Sequence, residues 1–113
     1  MPRDQESLID IFQAAQRVVR FTQGVTRPEL ESNEEKQAAI LYQLTIIGEA
    51  TKRLSPDLRN QHPTIPWKQM AGMRDIVTHH YDEVDPDVVW DVVQDDIPQL
   101  ITLLEPLVAN TLE

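Results

Sequence analysis

Apolar residues along this chain recur at steps of three and four, the period of an amphipathic helix, and no segment alternates as a strand does. The pattern predicts four or five helices. The first covers about Gln5 to Gln23, with Leu8, Ile11, Phe12, Ala15, Val18, Val19 and Thr22 on one stripe. Gly24 is its stop. Residues Gly24 to Glu31, with Pro28 among them, read as a loop.

The second predicted helix opens on a capping box, Ser32 as N-cap and Glu35 three residues later. Glu34 and Glu35 put negative charge at the positive end of the helix dipole. It continues to about Leu54. Ala38, Ala39, Leu41, Tyr42, Leu44, Thr45, Ile46, Ile47, Ala50 and Leu54 cover more than half of its surface. A helix so apolar is either central in a bundle or shared with a second subunit. Gly48 lets another backbone come close. Ser55 to Ile65 reads as a polar loop with Pro56 and Pro63.

The third helix begins near Pro66 and runs through Trp67, Met70, Met73, Ile76 and Val77. Asp85 and Pro86 then read as N-cap and first residue of a fourth helix. There Val88, Val89, Val92, Val93, Ile97, Leu100, Ile101 and Leu104 repeat at helical spacing despite the weak helix propensity of valine. Pro98 and Pro106 are expected to kink or break it.

The fold class expected is therefore all-α, an up-and-down bundle. A length of 113 residues suits a single domain over 1–113. Cysteine is absent, so there is no disulfide framework and no thiolate ligand or nucleophile. The N-terminus lacks an apolar signal region, and no apolar run reaches the ~18 residues that span a membrane. A cytoplasmic location without membrane association is the expectation. Net charge is −9, from 10 basic and 19 acidic residues, which argues against broad nucleic-acid binding, and no DNA partner is expected. RNA chemistry would need a local basic site.

One stretch offers such chemistry. Arg74-Asp75-Ile76-Val77-Thr78-His79-His80-Tyr81 spaces an arginine, a histidine and a tyrosine as R-x4-H-x-Y. Arginine binds phosphate in a fixed fork geometry, and histidine exchanges protons near neutral pH. On an ideal helix Arg74 and Tyr81 share a face, whereas Arg74 and His79 lie about 140° apart. The latter two can converge on one phosphate if the helix loosens near His79, or if two copies of the motif face each other across a two-fold axis.

Each residue also has an ordinary reading. Asp75 orients the His79 ring or simply pairs with Arg74; His80 is a second proton carrier or a bystander. His62 beside Pro63 reads as structural, and Trp67 and Trp90 as core anchors rather than base-stacking platforms. Adjacent His79 and His80 diverge on a helix and make a poor metal site, so neither metal nor cofactor is expected. Asp82, Glu83, Asp85 and Asp87 read as capping and a solvated face.

Taken together, Ile46-Ile47-Gly48-Glu49-Ala50, Pro66-Trp67, Gly72-Met73-Arg74, His79-x-Tyr81, Val84-Asp85 and Trp90 resemble the HepT-like branch of the HEPN superfamily over about residues 4 to 104. The resemblance implies a HEPN bundle of four to five helices, dimeric, with the motif at the dimer cleft. It implies a metal-independent endoribonuclease, the toxin of a type VII-like toxin–antitoxin pair. Its expected partner is a minimal nucleotidyltransferase that transfers AMP from ATP to the motif tyrosine. Carried over, Arg74 and His79 are catalytic and Tyr81 is the AMPylation site. The residue after the arginine is often asparagine in these proteins, and here it is Asp75, whose charge repels RNA. The competing expectation is a non-catalytic HEPN dimer that only binds its nucleotidyltransferase.

Overall fold

Helix α1, Pro2–Thr22, carries the predicted stripe, and Leu8, Ile11, Phe12, Ala15 and Val18 are all buried on it. The computed structural model describes residues 2–79 and 85–112, and every regular element among them is helical. The Thr22 hydroxyl turns back to the Val18 carbonyl at 2.8 Å, and Gly24 leaves the helix at φ 71°, the left-handed turn that glycine allows.

Two segments read as loops contain short helices. Helix α2, Arg27–Ser32, is capped by the Thr26 hydroxyl and carries Pro28 in its first turn. Leu30 explains why it forms, since one turn suffices to bury that side chain at 1% exposure. The N-cap of the next helix is accordingly Asn33, not Ser32, which ends α2. Asn33 Oδ1 accepts from the Lys36 N–H at 2.9 Å. Helix α3 is Glu34–Lys52. The predicted loop after it holds α4, Pro56–Gln61, with Ser55 as N-cap.

Asp4 links these pieces. Its carboxylate accepts from the Ser55 N–H at 2.9 Å and from the Ser55 hydroxyl at 2.6 Å, which in turn caps the Leu58 N–H. Those hydrogen bonds hold Asp4 below the usual carboxylate range. The contact brings the start of α1 to the end of α3. Phe21, near the end of α1, meets Lys36 at the start of α3, so the two helices run antiparallel.

Helix α5 is Trp67–His79. The Trp67 indole is buried and donates to the Arg59 and His62 carbonyls, so it anchors the core as its sequence position suggested. Asp85 caps α6, Pro86–Asp91, by accepting from the Asp87 N–H at 2.9 Å. Prolines 98 and 106 do not break the last segment. Helicity continues from α6 through a π-helical turn, Val92–Asp96, into α7, Ile97–Leu112, which contains Pro106. The widened turn falls where the Pro98 ring would otherwise meet the carbonyl of Gln94.

The core gathers buried side chains from α1, α3, α5 and α7. Ile11 and Val18 from α1, Ile40, Leu44 and Ile47 from α3, and Leu104 and Val108 from α7 are at most 1% exposed. Each such side chain contributes about 1.5–3 kcal/mol through burial. No helix among the described residues is long and apolar enough to cross a membrane.

Candidate active site

The helix bearing the motif is fixed by the closest backbone approach around a glycine. A Cβ built on Gly48 of α3 would sit 2.5 Å from both the Cβ and the backbone nitrogen of Arg74 on α5. No side chain fits there, so α3 and α5 touch backbone to backbone at the first motif residue. The close approach that Gly48 suggested is thus made to Arg74 itself.

Residues flanking that contact form two ion pairs across the helices. Arg74 Nε donates to Glu49 Oε1 at 3.1 Å, and Lys52 Nζ to Asp75 Oδ1 at 3.1 Å. Asp75 therefore does not take the role of pairing with Arg74; Glu49 fills it. Lys52 offsets the Asp75 charge that would repel RNA. The side chains of both pairs are 37–50% exposed, so each pair adds little to stability and acts mainly on orientation.

Sequence reading gave neither Glu49 nor Lys52 a role. Their signal was present: Glu49 and Lys52 are three apart on one helix, and Arg74-Asp75 offers the complementary charges on another. Only the register at Gly48 brings them together.

His79 is the last residue of α5, which is α-helical without interruption from Trp67. The helix does not loosen between Arg74 and His79, which therefore stay about 140° apart around the axis. His80 and Tyr81 lie outside the described residues, as do Asp82 and Glu83. His62 follows α4 as its C-cap, and its carbonyl accepts the Trp67 indole, a structural role.

Much of the remaining acidic charge among the described residues falls into two groups. Glu29, Glu31, Glu34 and Glu35 cluster on α2 and the start of α3; Asp85, Asp87, Asp91, Asp95 and Asp96 follow α6 and the π turn. Burial, with Asp95 beside it, pushes Asp96 above the usual carboxylate range. Arg27 bridges the two clusters by pairing with Asp87 and Glu31.

Comparison with known proteins bears out the family resemblance. A family model described as ribonuclease HepT-like matches residues 11–107. The chain is 38% identical over 103 residues to "Probable ribonuclease HepT" of Thermococcus cleftensis, covering 91% of this chain and 94% of that one. It is 35% identical over 103 residues to "Putative RNase MJ0127" of Methanocaldococcus jannaschii, covering 91% and 85%. It is 32% identical over 90 residues to "Putative RNase TTE0752" of Caldanaerobacter subterraneus subsp. tengcongensis, covering 80% of each. No solved structure matches. With nearly the whole helical bundle matched, including the Gly48 crossing and the motif helix, the chain belongs to the ribonuclease HepT-like family.

Proposed function

We propose that the protein is a metal-independent endoribonuclease acting as a two-fold homodimer, with Arg74 and His79 as its catalytic residues. The observation that carries this reading is the arginine locked at the Gly48 crossing, five residues before a histidine on one unbroken helix. Because that helix does not loosen, convergence of arginine and histidine on one phosphate favours two facing copies of the motif.

The chemistry proceeds by transesterification. A ribose 2′-hydroxyl attacks the adjacent phosphorus, and His79 of one copy takes its proton. The bond between phosphorus and the 5′-oxygen breaks, and the second copy's histidine gives that oxygen a proton. Arg74, directed by Glu49, stabilises the charge on the non-bridging phosphoryl oxygens. The products carry a 2′,3′-cyclic phosphate and a 5′-hydroxyl. Asp75, held by Lys52, supports the site electrostatically, and His80 is a second candidate proton carrier.

In the cell the same reading makes the chain the toxin of a toxin–antitoxin pair. A cognate minimal nucleotidyltransferase silences it by transferring AMP to Tyr81. The added phosphate places bulk and negative charge two residues from His79, where both oppose RNA entry.

The test is cleavage of single-stranded RNA in EDTA by the purified chain with unmodified Tyr81, beside His79→Ala. Cleavage by the wild type alone, leaving cyclic phosphate ends, is the expected result. Equal cleavage by both would remove His79 from the mechanism. Cleavage by neither would favour the non-catalytic dimer that only binds its nucleotidyltransferase.

A further inference from the structure

Among the described residues, the acidic chain carries a basic face on α1. Two contiguous grooves on the outer side of α1 and α3 share Gln13 and Arg17. One extends to Arg20 and the other to Asp10, Arg53 and Glu49. Glu49 also pairs with Arg74, so one end of the groove is lined by the residue that holds the proposed catalytic arginine.

Its charge is the reverse of the rest of the chain. The carboxylates along it are already engaged: Asp10 pairs with Arg53 at 3.6 Å and Glu49 with Arg74 at 3.1 Å. Among the described residues, Arg17 donates to the neutral Gln43 amide oxygen at 3.5 Å and pairs with no carboxylate, and Arg20 has no ionic partner. Net positive charge therefore remains at Arg17 and Arg20, one helical turn apart. From Asp10 to Arg20 the groove follows α1 for about 15 Å, enough for a short length of single-stranded RNA. Gln13, one turn before Arg17, adds an amide donor beside the charges.

We propose that this groove is the track for the RNA strand flanking the scissile phosphate, with Arg17 and Arg20 binding its phosphodiester backbone. The inference rests on the ribonuclease reading, since it is Arg74, held by Glu49 at one end of the groove, that gives the track a destination. Backbone phosphates are the chemistry the face fits: arginine forks with a neutral amide beside them bind anionic oxygens without reading bases. The acidic clusters on α2 and along α6 would repel RNA from other approaches.

The experiment measures binding of a short labelled single-stranded RNA to the full chain carrying His79→Ala, which prevents cleavage. Arg17→Gln and Arg20→Gln are then added together, and binding is followed over a salt series. The double change is expected to weaken binding about tenfold and to reduce the slope of log affinity against log salt by about 1.4, the value for two lost phosphate contacts. Lys68→Gln, outside the groove, is expected to change little.

Unchanged affinity in the double variant would overturn the track, as would an equal loss from Lys68→Gln or no RNA binding by the starting chain. A change in oligomeric mass accompanying the loss would also overturn it, because the face would then be an interface between copies. Binding that depends on both arginines in a chain whose wild type cleaves nothing would keep the track and sink the ribonuclease reading.

Discussion

Helix α3 meets α1 on one side and α5 on another, and the two contacts are built of opposite materials. Into the core it shares with α1 it buries Ile40, Leu44 and Ile47, each at most 1% exposed. Toward α5 it presents Gly48, a missing side chain, flanked by two half-exposed ion pairs. The first contact supplies stability by removing apolar area from water. At the second, the exposed ion pairs supply little stability themselves but fix where one arginine stands. Fold and chemistry are thus separated on neighbouring faces of a single helix.

That separation can be broken from either side. Ile47→Ala should cost the most stability, about 2–5 kcal/mol, because a fully buried side chain leaves a cavity. RNA cleavage per folded molecule should stay close to wild type, measured by activity alongside chemical denaturation. Gly48→Ala should cost about 1–3 kcal/mol, since its new Cβ meets Arg74 backbone at 2.5 Å and the helices must part. Unlike Ile47→Ala, it should lower cleavage per folded molecule, because the arginine moves with α5. If Gly48→Ala and Ile47→Ala damage activity in the same proportion to stability, the separation is wrong.

Asp4 sharpens the stability side. Asp4→Asn weakens charge-assisted hydrogen bonds to Ser55 and should cost about 1.5 kcal/mol at neutral pH. The Asp4 carboxylate is held below its ordinary value of 3.8, so its contribution is present above that pH. It is lost as pH falls through the lower folded value. Thermal midpoints of the two proteins should therefore converge in strong acid, with no effect on cleavage at neutral pH beyond that of stability.

Glu49→Ala should have the smallest effect on stability, under about 1 kcal/mol, as expected for an exposed ion pair. Its effect on turnover should be larger, roughly tenfold or more, because the arginine loses the group that directs it. The loss is expected in kcat rather than KM.

The sequence was most legible where burial repeats. The stripes of α1, α3 and α7 follow a period that many residues report together, and Asp85-Pro86 capped a helix as expected. Helices α2 and α4 were missed because six residues are too few to show a period. Yet Thr26 before Arg27-Pro28, and Ser55 before Pro56, obey the cap-and-proline logic seen at Asp85-Pro86. Pro98 was expected to kink or break the helix because proline opposes an α-helix; helicity continues, with a π turn just before it.

Within the site, residue types were legible and partnerships were not. Arg74 and His79 stood out by their chemistry and Gly48 by its lack of a side chain. That Glu49 takes Arg74, and Lys52 takes Asp75, depends on the crossing register, which no local pattern encodes. The alternatives for Asp75 could be narrowed only after Lys52 was seen beside it.

The most direct measurement of the central claim is cleavage of single-stranded RNA by Arg74→Ala, with unfolding followed on the same preparation. Alanine keeps the Cβ that packs over Gly48 and removes only the guanidinium and its stem. Cleavage should fall by about a hundredfold or more while stability changes by less than about 1 kcal/mol. Undiminished cleavage, or a loss no greater than the fraction unfolded, would contradict a catalytic arginine fixed at the α3–α5 crossing.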